Sequence, residues 1–136
     1  MVTGNGRAAD AAGCVRLRHC EVLRLDPEPL MRLRAGLGPQ ESAVEVGQLR
    51  ERLIELRRRI AETLAEGRWH MVAEAAAGVA ELGCRLGVPE LHQAGRNLAD
   101  CARGADGTAL VATAGRVLRL SDRAVTAVGA LRRESD

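Results

Sequence analysis

Between Gly38 and Gly67 the apolar residues Val46, Leu49, Leu53, Leu56, Ile60 and Leu64 recur at every third or fourth position. At 3.6 residues per turn this spacing puts all six on one side of an α-helix, whereas a strand would scatter them over both faces. No other segment before the middle of the chain constrains the fold so strongly. Proline and glycine punctuate the rest. Asp26-Pro27 reads as a helix start, with the carboxylate as cap and the proline in the first turn, and this short helix closes at Gly36 and Gly38. Gly67 ends the long helix. A third runs from about Arg68 to Leu86 and stops at Gly87, and a fourth opens at Pro89 with Leu91, Ala94, Leu98 and Cys101 inward. After the turn Gly104 to Gly107, a last helix spans Thr108 to Arg132, its predicted buried side being Val111, Ala114, Val117, Leu118, Ala124, Val125, Val128 and Leu131. Four substantial helices joined by a few residues predict an all-α, up-and-down antiparallel four-helix bundle with a short leading helix. The domain division follows: an irregular N-terminal segment over 1–24, the bundle over 25–132, and a tail over 133–136. Over residues 13–25 Val15, Leu17, Leu23 and Leu25 alternate as in a strand, but with no second strand to pair with, the stretch reads as extended or weakly helical.

Composition removes several function classes. The chain of 136 residues has one aromatic residue, Trp69, and neither Tyr nor Phe, which disfavours binding of bases by stacking and aromatic-rich β architectures. All 20 basic residues are arginine, set against 18 acidic ones, for a net charge of +2. So balanced a chain has no strong field for nucleic acid or an anionic membrane. No apolar run is long enough to span a bilayer, and the start lacks the apolar stretch of a secretion signal, so a cytoplasmic location is expected. Cys14, Cys20, Cys84 and Cys101 are then expected as free thiols, Cys84 and Cys101 as small core or half-buried residues. Cys14, His19 and Cys20 have no standard zinc spacing and lack a fourth ligand. Neither metal nor cofactor is expected. The Arg50, Arg52 and Arg57 to Arg59 group reads as a solvated helix face, and Trp69 as a core anchor where the second and third helices meet.

The third helix carries two stripes. Val72, Ala76, Val79, Gly83 and Leu86 are spaced for the core; His70, Glu74, Ala77, Glu81 and Arg85 lie about 200° away, toward solvent. The stretch GRWHMVAEAAAGVAELGCRLGVPEL, Gly67 to Leu91, resembles the signature region of histidine-phosphotransfer (HPt) domains. These are four-helix bundles that relay phosphoryl groups between receiver domains. Gly67 and Trp69 match the opening of the family's phospho-accepting helix, Leu86-Gly87 its later Leu-Gly, and Pro89-Glu90-Leu91 the start of the next helix. With the flanking helices, the resemblance runs from about Leu25 to Leu131.

At the chemistry the match stops. Counting from Gly67 and from Leu86 leads to the same phospho-acceptor position, and it holds Ala77. The family's leucine two positions on is Val79, its lysine is Ala80, and its glycine is Glu81. A methyl group has no lone pair with which to accept a phosphoryl group, and no cation replaces the lysine. Glu81 adds negative charge where a receiver's acidic pocket would approach. The resemblance therefore implies a non-catalytic HPt-like module, not an enzyme. It would bind a response-regulator receiver or a histidine kinase through His70, Glu74, Ala77, Gly78, Glu81 and Arg85. Two other functions compete: active phosphotransfer through His70, about 10.5 Å along the helix from Ala77 and one turn from Glu74, or a structural bundle that forms a homodimer through its arginine-edged second helix. His92 and His19 are expected to be structural or solvated.

Overall fold

The computed structural model describes residues 23–104 and 106–135. They form five helices: α1 (Glu28–Leu37), α2 (Pro39–Ala65), α3 (Trp69–Leu86), α4 (Pro89–Gly104) and α5 (Gly107–Ser135). No strand occurs among the described residues. Helix α2 packs on α3 and α5, α4 packs on the same two, and the diagonal pairs α2/α4 and α3/α5 make no close backbone approach. Consecutive helices linked by short turns must run antiparallel, and the α2–α5 contact closes the ring into an up-and-down four-helix bundle. Helix α1 lies across one end, against α2 and α3.

Local chemistry sets the boundaries. Asp26 Oδ1 accepts the Glu28 backbone N–H at 3.0 Å, and Pro27 already has helical dihedrals. Gly38, at φ 87°, is the whole α1–α2 connection, and Pro39 opens α2 at a position that needs no donor. Both ends of the α2-to-α4 course use a left-handed glycine. The Gly67 N–H bonds Leu64 O while the Arg68 N–H bonds Thr63 O, and Gly87 and Val88 repeat the pattern onto Cys84 and Gly83. Gly87 is required twice over. Its φ is +78°, and a Cβ there would stand 2.1 Å from the Asp26 carbonyl oxygen. The same approach lets the Asp26 N–H donate to Gly87 O at 2.6 Å, which ties the chain before α1 to the α3–α4 corner.

The expected seam of α2 is inward: Leu49, Leu53, Leu56 and Ile60 are buried, and Val46 and Leu64 pack on the core edge. The core stripe of α3, Val72, Ala76, Val79, Gly83 and Leu86, is buried throughout. Small residues bring α3 and α4 together. A Cβ on Gly83 would meet His92 N at 2.6 Å, and one on Gly95 would meet Ala80 N at 2.7 Å and Ala76 O at 2.8 Å.

Several expectations need correction. Trp69 is no core anchor; it is 38% exposed. As the first residue of α3 its Cα–Cβ bond points toward the helix N-terminus, past the end of the core, and its ring lies over the turn at Gly67. Val111 and Leu131 were expected inside, yet they are 67% and 37% exposed. Val111 shares a seven-residue row with Leu118 and Val125, which are only half-buried. Such a row turns by about 20° per heptad and leaves the core at its end. Cys84 is exposed, whereas Cys101 is half-buried as expected. The tail expected from 133 is helical through Ser135. Residues 23–26 form no helix; the remaining expectations for 1–22, the Cys14, His19 and Cys20 grouping included, lie outside the described residues.

Candidate functional site

The solvent-facing stripe of α3 exists as a surface. His70, Glu74, Ala77, Glu81 and Arg85 are exposed and Gly78 is half-exposed. The α2 seam and the α3 core stripe orient it: with Val72, Ala76 and Val79 fixed inward, the residues about 200° around must face out. Gly78 sets how near α2 comes. A Cβ at this position would sit 2.9 Å from Leu56 Cδ1, so the absent side chain is the space that Leu56 fills. A partner resting on Ala77 would therefore also meet the flank of α2.

Charge on this face is unevenly committed. Arg85 Nη2 donates to Glu45 Oε2 of α2 at 3.0 Å, which links the two helices and neutralises the stripe's only arginine. Glu74 and Glu81, one turn to either side of Ala77, make no ion pair among the described residues. Nor does His70 share a hydrogen bond with Glu74 there, so the imidazole lacks the orienting partner a nucleophilic or proton-transferring histidine requires. The centre of the stripe is thus a methyl group between two free carboxylates.

Ala80 does not belong to this surface. Although three residues beyond Ala77, it is 5% exposed and packs under Gly95 of α4. Its carbonyl lies 2.9 Å from His92 Nδ1, which gives His92 a structural role at the start of α4. The sequence reading missed two contributors. Cys84 stands seven residues after Ala77 on the same exposed row, a signal visible in the spacing of His70, Ala77 and Cys84. Glu45 reaches the stripe from another helix, and no local pattern announces that.

The arginines of α2 are largely engaged within the molecule. Arg57 makes a two-pronged bond to Asp122 of α5 at 2.7 and 3.1 Å, and Arg50 Nε donates to the Val125 carbonyl at 3.0 Å. Arg58 bridges Glu55 and Glu62, and Arg59 adds a looser 3.7 Å pair to Glu55. These bonds raise the Arg58 guanidinium above its ordinary value and lower the Glu55 carboxyl, the hydrogen bond to Arg58 being the main cause. No group of three or more metal-ligating side chains occurs among the described residues, and none of their helices is long and apolar enough to cross a membrane. No family model, no curated protein and no solved structure matches the chain.

Proposed function

We propose that this chain is a non-catalytic, HPt-like signalling module. It binds a receiver domain or a histidine-kinase domain through the α3 stripe and modulates phosphoryl flow without carrying the phosphoryl group. One observation carries the reading: Ala77, where the resemblance requires the acceptor, is solvent-exposed at the centre of a stripe on a bundle helix. An exposed methyl group in that place retains a surface for docking and removes the nucleophile. Glu74 and Glu81 select a partner with arginine or lysine opposite them, since carboxylates facing a receiver's acidic pocket repel it.

Two observations weigh against the competing functions. His70 lies two turns from the acceptor position without an orienting hydrogen bond, which leaves phosphotransfer through it without geometric support. The internal pairing of Arg50, Arg57, Arg58 and Arg59 removes most of the charge that a self-pairing α2 would offer a second copy.

The test is affinity capture with identification of the bound proteins, comparing the unmodified chain with Ala77→Arg. A receiver- or kinase-containing protein retained by the former and lost with the latter is the expected result. Retention of the same protein by both, or of neither class by either, overturns the reading. Incubation with a labelled phosphodonor should leave the chain unlabelled; acid-labile label that disappears in His70→Ala would establish the phosphotransfer alternative instead.

A further inference from the structure

The ring of α2, α3, α4 and α5 closes without α1, and α1 is held to it loosely. None of the ten residues of α1 is buried, and Met31 and Leu37 are largely exposed. Its ion pair, Arg32 with Glu28, is internal, and no side chain of α1 bonds to another helix among the described residues. What ties this helix down lies just before it. The Asp26 N–H donates to Gly87 O, and Arg24 pairs with Glu90 through a side chain that is 75% exposed. So exposed a pair contributes little. Leu23, Leu25 and Leu30 add apolar contacts at the edge of the core.

At its other end α1 is joined to α2 by Gly38 alone, and nothing stands within 4 Å of where a Cβ would be there. The first turn of α2 closes on itself: the Ser42 N–H bonds Gly38 O, and Ser42 Oγ donates to Pro39 O. Rotation about the Gly38 N–Cα bond would therefore swing α1 and leave α2 in place, as a single-residue hinge does. Beneath the segment is the α3–α4 corner. Asp26 O and Pro29 Cδ lie 2.1 and 3.5 Å from where a Cβ on Gly87 would be, and the residues on either side of it, Leu86 and Val88, are wholly buried.

We propose that residues 23–37 are a hinged lid over the α3–α4 corner, closed in this structure and opening as one unit about Gly38. Opening breaks the ties of Asp26 to Gly87 and of Arg24 to Glu90 and bares Leu86 and Val88, while the four-helix ring stays folded. The bared surface adjoins Cys84 and Arg85 at the end of the exposed α3 row, so the lid adds or withholds an apolar patch there. The proposal does not rest on the function assigned to that row.

Backbone-amide exchange of the unmodified chain gives the first test. The amides of α1 from Met31 to Leu37 should exchange together, at least about 100-fold faster than the slowest amides of α3 and α4, with a denaturant dependence below that of global unfolding. Thiol labelling gives the second. In a chain with Cys14, Cys20, Cys84 and Cys101 replaced by serine, Val88→Cys and Val117→Cys place a thiol at two wholly buried positions, one under the lid and one in the middle of α5. Val88→Cys should label at least about tenfold faster, and Leu30→Asp should raise its rate several-fold further without changing that of Val117→Cys. Equal labelling of the two thiols overturns the proposal, as does Leu30→Asp accelerating both alike. So does exchange of α1 at the rate of the core, or exchange graded residue by residue from Glu28, which is fraying of a helix end and not the opening of a lid.

Discussion

A single missing side chain decides more here than most of the side chains present. Gly87 combines a left-handed φ of +78° with a carbonyl oxygen 2.1 Å from where a Cβ would be. Gly87→Ala should therefore pay the left-handed strain of about 1–2 kcal/mol and also push Asp26 away, losing the 2.6 Å bond that anchors the start of α1. Chemical denaturation should show a loss of at least about 2 kcal/mol. Ser121 gives the opposite case. It is fully buried, and its Oγ has no hydrogen-bond partner among the described residues. Ser121→Ala removes an unpaired polar atom, so the midpoint of unfolding should rise, by the equivalent of about 1 kcal/mol. Ala77→Arg should change stability by less than about 0.5 kcal/mol, as expected of an exposed helical site; a larger loss would mean that the residue packs, and the docking test would lose its meaning. The exposure of Ala77 was legible from its spacing in α3. The burial of Ala80 was not, because alanine is at home on either side of a helix and only the approach of Gly95 decides it.

At the scale of elements, the α3–α4 pair depends on close backbone approach. Gly95→Ala would place a methyl group within 2.7–2.8 Å of Ala80 N and Ala76 O. Rigid backbone atoms cannot yield as a side-chain tip can, so the helices must separate, at about 1–3 kcal/mol. Thermal unfolding of this variant should begin at visibly lower temperature while its helicity when folded is unchanged. The clip before α1 adds a dependence on acidity. The hydrogen bond from Arg24 holds the Glu90 carboxyl below its ordinary value of 4.5. A carboxyl whose folded value is depressed contributes stability that is complete above 4.5 and is lost as pH falls through the lower folded value. Acid titration of unfolding should accordingly be less steep in Glu90→Gln than in the unmodified chain below about pH 4.5. The start of α4 at Pro89 was legible in the sequence; that Arg24, 66 residues away, would meet its first turn was not.

For the molecule as a whole, the four long helices form a ring with α1 across one end, and the ring assigns different work to different flanks. The α2–α5 flank is closed by Arg57 with Asp122 and by Arg50 with the Val125 carbonyl. The α3–α4 flank is closed by glycine and alanine. Along the outer edge of α3, beside α2, an exposed row carries Glu74 and Glu81, which make no ion pair among the described residues, and it is the row on which Ala77 stands. Partner binding that maps to this edge, and is lost with Ala77→Arg, is the behaviour expected of an HPt-like module without an acceptor. Binding that engages Arg57 or Arg58 would compete with their pairs to Asp122 and Glu55.

Periodicity and punctuation were enough to determine the helices, their order, the antiparallel bundle and the core stripes of α2 and α3. These follow from short-range geometry: 3.6 residues per turn, the stiffness of proline, the left-handed freedom of glycine. The tertiary structure alone decided the rest. Trp69 and Val111 have the pattern of inward residues, but they stand near the starts of their helices, where the packed core leaves them 38% and 67% exposed. Cys84 and Ala80 have side chains small enough for either environment, so their exposure was fixed by which helix approached and how closely. Glu45 reached Arg85, and Asp26 reached Gly87, across distances in sequence that no local pattern records. A repeating pattern specifies the direction in which a side chain leaves its helix; whether anything waits there is a property of the packed bundle.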